Sequence, residues 1–117
     1  MIDESSLRPL PPPYEIYEFE PQKPVTFDII SWEIGTMEIQ PRYTPAAGRK
    51  KIIAVRLHVT PESKPYFPHY WDITPSRLVY QLAGILSQGV PEGYLLKITR
   101  DIPGPKAHFS AEWVPKV

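Results

Sequence analysis

Hydrophobic and polar residues alternate along most of this chain, and the alternation marks out its elements. The clearest run is KIIAVRLHV, Lys51 to Val59. Ile53, Val55, Leu57 and Val59 fall on one face there and Arg56 and His58 on the other, the period-two signature of a half-buried strand. Upstream, Val25, Phe27 and Ile29 alternate on one face, and the apolar set then passes to Ile30, Trp32 and Ile34. That one-residue change of phase predicts a β-bulge at Ile29-Ile30. Gly35 marks a further bend, after which Met37 and Ile39 carry the apolar face, so the segment is two strands or one long bent strand. YEIYEFE, Tyr14 to Glu20, reads as a short strand with acids between aromatics. YLLKITRDI, Tyr94 to Ile102, and AHFSAEWV, Ala107 to Val114, read as a hairpin turned by PGPK, with Phe109, Ala111 and Trp113 facing inward.

One segment has a helical period instead. Leu78, Leu82, Ile85 and Leu86 form a stripe widened by Val79 and Ala83. Thr74 is placed to cap it, Pro75 suits the first helical position, and Asp72 just upstream favours the helix dipole. Ile73 and Leu78 have the spacing of a hydrophobic staple. Gly89 supplies a left-handed stop, so the helix runs from about Pro75 to Gln88. Gly84 is a local cost of about 1 kcal/mol relative to alanine, and it predicts a close approach to the sheet.

The fold class that follows is α+β: an antiparallel sheet of five to six strands with one helix, about 75–88, packed on one face. A fourteen-residue helix is only about 21 Å long, so part of the sheet needs another cover. The candidates are the N-terminal segment, the loop after Val59 or a second copy. Residues 1–13 end in LRPLPPP and read as an extended or disordered arm, with residues 14–117 forming a single domain. The run Pro11 to Tyr14 also has the pattern of a WW-domain ligand, although a stiff leader is the simpler reading.

Composition narrows the chemistry. There is no cysteine, which removes disulfides, thiolate metal sites and cysteine nucleophiles. There is no asparagine either, and sixteen prolines stand mostly in the expected loops, a bias that fits a thermophilic source. No apolar run reaches the length of a membrane span, and the acidic N-terminus has no signal-peptide pattern, so a cytoplasmic protein is expected. The net charge of zero conceals a division: residues 1–40 carry eight acids and two bases, and residues 41–117 five acids and eleven bases. Such an asymmetry points either to a polyanion-binding face or to cross-strand pairing of the two halves.

The most unusual stretch is KPYFPHYWDITP, Lys64 to Pro75, with four aromatic rings, a histidine and an aspartate. His69, Asp72 and Ser76 are near in sequence but lie outside any nucleophile-elbow pattern. The three histidines, His58, His69 and His108, lack metal-ligand spacing. No catalytic, cofactor or metal site is therefore assigned. The candidate ligand-binding residues are the basic Arg49, Lys50, Lys51, Arg56, Lys97 and Arg100, together with Tyr66, Phe67, His69 and Tyr70 of the aromatic loop. A basic sheet face bordered by rings is a recurring way to hold a single strand of DNA or RNA. The expectation is a non-enzymatic binding module for single-stranded nucleic acid. The alternative is a protein–protein interaction or structural protein acting as a homodimer.

Overall fold

A computed structural model describes residues 4–39, 48 and 50–116. After a 3₁₀ turn at Glu4–Ser6, the elements run β1 (Val25–Phe27), β2 (Ile29–Ile39), β3 (Lys50–Val59), β4 (Tyr70–Ile73), α1 (Ser76–Leu86), β5 (Tyr94–Arg100) and β6 (Phe109–Pro115). The class is α+β with six antiparallel strands and one helix. The strands form two three-stranded sheets, β2-β3-β4 and β1-β5-β6, in place of a single sheet. The break falls at Asp28, between β1 and β2, where the chain passes from one sheet to the other. Just beyond it the β2–β3 register shifts between Ile29 and Ser31, at the change of phase seen in the sequence.

The period-two pattern explains which faces are buried. Val55, Leu57 and Val59 of β3, Leu96 and Ile98 of β5, and Leu78, Val79, Leu82 and Leu86 of α1 meet in the main core. Phe109, Ala111 and Trp113 of β6 pack against it from the edge. α1 covers the inner side through contacts with β3 and β6. Burial of this kind stabilises by about 1.5–3 kcal/mol for each large side chain.

The other face of the β2-β3-β4 sheet is covered by the N-terminal segment. Arg8 O accepts from Thr36 N at 3.0 Å and Leu10 N donates to Thr36 O at 2.8 Å, which pairs the segment with the outer edge of β2. Pro11 to Pro13 then cross the sheet. Asp72 N donates to Glu15 O at 2.7 Å and Tyr17 N to Asp72 O at 3.0 Å, which pairs it with the outer edge of β4. Under this strap lies a second small core of Leu10, Met37 and Ala54 flanked by Tyr14 and Ile16. Tyr14 is held in that cluster, so PPPY is a strap element here. Farther on, Gln22 N donates to Arg100 O at 2.8 Å and ties the segment to the second sheet. Tyr14 to Glu20, expected as a strand, makes one parallel bridge, Ile16 to Asp72, and no ladder.

Three sequence expectations change. Pro75, not Thr74, occupies the N-cap position of α1, and no side chain caps the helix. Asp72 does not serve the helix dipole, because its carboxylate is buried against Arg56. Gly84 has nothing within 4 Å of where a Cβ would stand, so it marks no close approach. The close approach is at Gly35, where a Cβ would lie 2.5 Å from Arg8 O and 2.8 Å from Leu10 Cγ of the strap.

Candidate functional site

Nine of the ten sequence-derived candidates lie among the described residues, and they separate into five places. Arg49 lies outside the described residues. Arg56 is 2% exposed and points under the strap. Its Nε donates to Asp72 Oδ1 at 2.7 Å and its Nη2 to Asp72 Oδ2 at 3.2 Å. Burial pulls the guanidinium pKa down, but the bonds and charge of Asp72 outweigh that and hold it above its ordinary value. Such a pair is a structural fastening, and Arg56 offers nothing to a ligand at the surface.

Tyr66, Phe67, His69 and Tyr70 stay together on the loop after β3, and its centre is Lys64. The Lys64 side chain is fully buried, and its ammonium donates to Glu15 Oε1 at 2.8 Å, Pro68 O at 2.5 Å and Tyr70 O at 3.1 Å. The Trp71, Tyr66 and Tyr70 rings surround it at 4.4, 4.8 and 5.9 Å from their centroids. Cation–π attraction is strongest in such a desolvated setting. His69 Nδ1 is 2.8 Å from Lys64 O. Tyr70 lies with its ring 4.1 Å from the Arg56 guanidinium and donates from its hydroxyl to Pro13 O at 2.6 Å. Burial raises the Tyr70 pKa against the opposing pull of Arg56. Two rings point outward: Tyr66 is 56% exposed and Phe67 83%. His69, Asp72 and Ser76 each have separate surroundings and form no catalytic set. Among the described residues no three His, Asp or Glu side chains gather as metal ligands.

Lys97 sits on β5 beside Glu112 of β6, at 3.8 Å. Lys51 is exposed on β3 opposite Glu38.

The remaining two candidates, Lys50 and Arg100, converge. Both line a groove of about 600 Å³ between the strap, the start of β3, the N-terminal end of α1 and the turn joining β5 to β6. Arg77 of α1 joins them there. Arg100 is held rigidly: Nε donates to Ile102 O at 2.9 Å, Nη1 to Phe19 O at 3.2 Å and Nη2 to Gly104 O at 2.8 Å. Its partners are neutral carbonyls, so its charge is positioned but not cancelled. Arg77 Nη1 is 3.2 Å from each ring nitrogen of His108. Among the described residues none of the three cations makes an ion pair. Glu18 is the one acid among the described lining residues. Rings form the apolar wall: Tyr17, Phe19 and Phe109, with Phe19 4.7 Å from Tyr17 and 5.5 Å from Phe109 between centroids. Burial, then the nearby Glu20 and Tyr66, raise the Tyr17 pKa, which keeps its phenol neutral. The uncapped start of α1 adds unpaired N–H groups and a partial positive charge.

Sequence reasoning missed Arg77, although a signal was there. It is the only charged residue of α1 and stands in its first turn, where acids are favoured and cations oppose the dipole. A local choice that conflicts with its element is a mark of a functional position. The comparisons add nothing to this geometry, since no family model, no curated protein and no solved structure matches the chain.

Proposed function

We propose that the protein is a non-enzymatic binding module that holds single-stranded nucleic acid in the groove between the strap and the two sheets. The observation that carries this reading is the convergence of Lys50, Arg77 and Arg100 on one ring-walled groove without ion-pairing partners among the described residues. Uncancelled cations attract a phosphate backbone, and the half-buried Tyr17 and Phe109, backed by the core residue Phe19, give a base an apolar wall to lie against. The basic face imagined from sequence is thereby replaced by a narrower cleft. Arg56 drops out of the ligand set because it is buried, and Arg77 enters it.

The test is a fluorescence-anisotropy titration of labelled oligo-dT and oligo-U at low salt. Lys50→Ala and Arg77→Ala are each expected to weaken binding several-fold and about equally across sequences, as phosphate contacts do. Arg100 is left intact because its hydrogen bonds hold the turn. Undiminished binding by the double variant would remove the groove from consideration.

A second reading, association of two copies as a homodimer, has one observation in its favour. Phe67 and Tyr66 are exposed on a loop that Lys64 holds in place, and rigid aromatic anchors dominate interface energetics. Light scattering distinguishes the two readings: a dimer that Phe67→Ser returns to a monomer supports the second, and a monomer at all concentrations excludes it.

A further inference from the structure

A sheet edge can accept another extended chain, and this protein treats its edges unequally. Both edges of the β2-β3-β4 sheet are occupied by the strap. In the other sheet β1 is three residues long, so its edge is short. β6 is different. It spans seven residues, its inner side pairs with β5, and among the described residues no strand lies on its outer side. A strand edge left in this state offers a row of N–H and C=O groups that only another extended backbone can match.

A second groove, of about 660 Å³, runs beside that edge between β6 and α1. Its walls include Ala111 and Trp113 of β6 and Tyr80, Gly84 and Ile85 of α1, and no charged residue is among its described lining. Gly84 is the unexplained residue of the helix. Nothing within 4 Å requires it to lack a side chain, yet it lowers the helix propensity of its segment. Its bare surface leaves the groove open next to the strand. On the opposite face of β6, Glu112 has a side chain 66% exposed and only a 3.8 Å contact with Lys97.

We propose that β6 and this groove form a strand-accepting site for an extended segment of a partner protein. Every second side chain of that segment is neutral and apolar and enters the groove over Gly84. The residue opposite Glu112 on the outer face is basic. Backbone pairing supplies attraction, and the alternating pockets supply selectivity, as in other strand-addition sites. A second copy of this chain fits less well. Full-length antiparallel pairing of two β6 strands about a two-fold axis sets Glu112 against its own counterpart, and like charges directly opposite are destabilising. This site is remote from the cationic groove in chemistry and independent of the nucleic-acid reading.

The probe is a capped, fluorescein-labelled heptapeptide, Val-Thr-Val-Lys-Val-Thr-Val, titrated against the full chain. Saturable binding is expected, with about tenfold loss when the central lysine becomes glutamate, since an opposite-charge pair across the strands is replaced by like charges directly opposite. N-methylation of the peptide amides that face β6 is expected to abolish binding, because it removes the donors without changing the side chains. Hydrogen exchange of β6 amides should slow in the complex. Gly84→Phe fills the groove from an open helix surface and is expected to abolish binding without lowering the thermal melt. The proposal is overturned by no binding at millimolar peptide, by equal binding of the N-methylated peptide, or by protection at the Tyr66–Phe67 loop instead of β6. Concentration-dependent self-association that protects β6 without peptide would also overturn it, by assigning the edge to a second copy.

Discussion

Asp72 accepts three hydrogen bonds inside the protein, two from Arg56 and one from Glu15 N at 2.8 Å, and is fully buried. It therefore joins β3, β4 and the strap at one carboxylate. Removing it leaves a buried guanidinium uncompensated, which typically costs about 3–5 kcal/mol. Asp72→Ala is accordingly expected to lower the urea midpoint by that equivalent, whereas the paired replacement of Arg56 by Met and Asp72 by Leu is expected to cost much less. A midpoint within about 1 kcal/mol of wild type for the single variant would contradict this role. Asp101 is a second informative carboxylate. Its Oδ1 accepts from Ile102 N and His108 N, each at 2.7 Å, closing the turn beside the cationic groove. The His108 N–H contributes most, and together with the Ile102 N–H it depresses the Asp101 pKa against an opposing desolvation. A depressed folded pKa means stability that is present above the unfolded value, about 3.9, and is lost as the pH falls through the folded one. The melting-temperature difference between wild type and Asp101→Asn should thus be constant from neutral pH to about pH 5 and shrink below about pH 4. A difference that persists unchanged into acid would show that the charge is irrelevant to the turn.

At the scale of elements, what was legible in the sequence was whatever depended on local period. The β3 alternation, the helical stripe of α1, the change of phase in β2 and the β5–β6 hairpin all stand in the fold. What was not legible depended on contacts distant in sequence. The polar side of β3 read as solvent-facing because Arg56 is charged, and only its partner Asp72, sixteen residues on, together with the strap, makes that side buried. The strap itself forms no ladder that a periodic pattern could specify, since it pairs only by isolated bridges, Pro9 to Thr36, Ile16 to Asp72 and Pro21 to Arg100. The two interior glycines make the same point in opposite directions. Gly35 read as a bend, and it is the place where the strap meets β2; Gly84 read as a close approach, and it faces open space. Gly35→Ala is therefore expected to destabilise by about 1–3 kcal/mol through overpacking against Arg8 O. Gly84→Ala is expected to stabilise by up to about 1 kcal/mol. Paired thermal or urea denaturation checks both, and shifts of the same sign would contradict the account.

For the whole molecule, the charge division of the sequence resolves into a spatial pattern. Part of it cancels between the two halves, Glu15 with Lys64 and Asp28 with Lys116 at 2.9 Å. Three further cations of the basic half, Lys50, Arg77 and Arg100, meet where the strap, the two sheets and α1 come together. The aromatic loop, the most conspicuous stretch of the sequence, is divided: Tyr70 and Trp71 pack around the buried Lys64, while Tyr66 and Phe67 are exposed. The candidate site lay instead among residues that looked ordinary singly, and it takes four separate segments to build it. The central claim is that those three cations hold a nucleic-acid backbone. The measurement that tests it most directly is the salt dependence of wild-type binding to a labelled single strand. Three phosphate contacts predict that log K falls linearly with log salt with a slope near −2, from about 0.7 per contact on single strands. No binding at the lowest salt, or an affinity that does not change with salt, would contradict it.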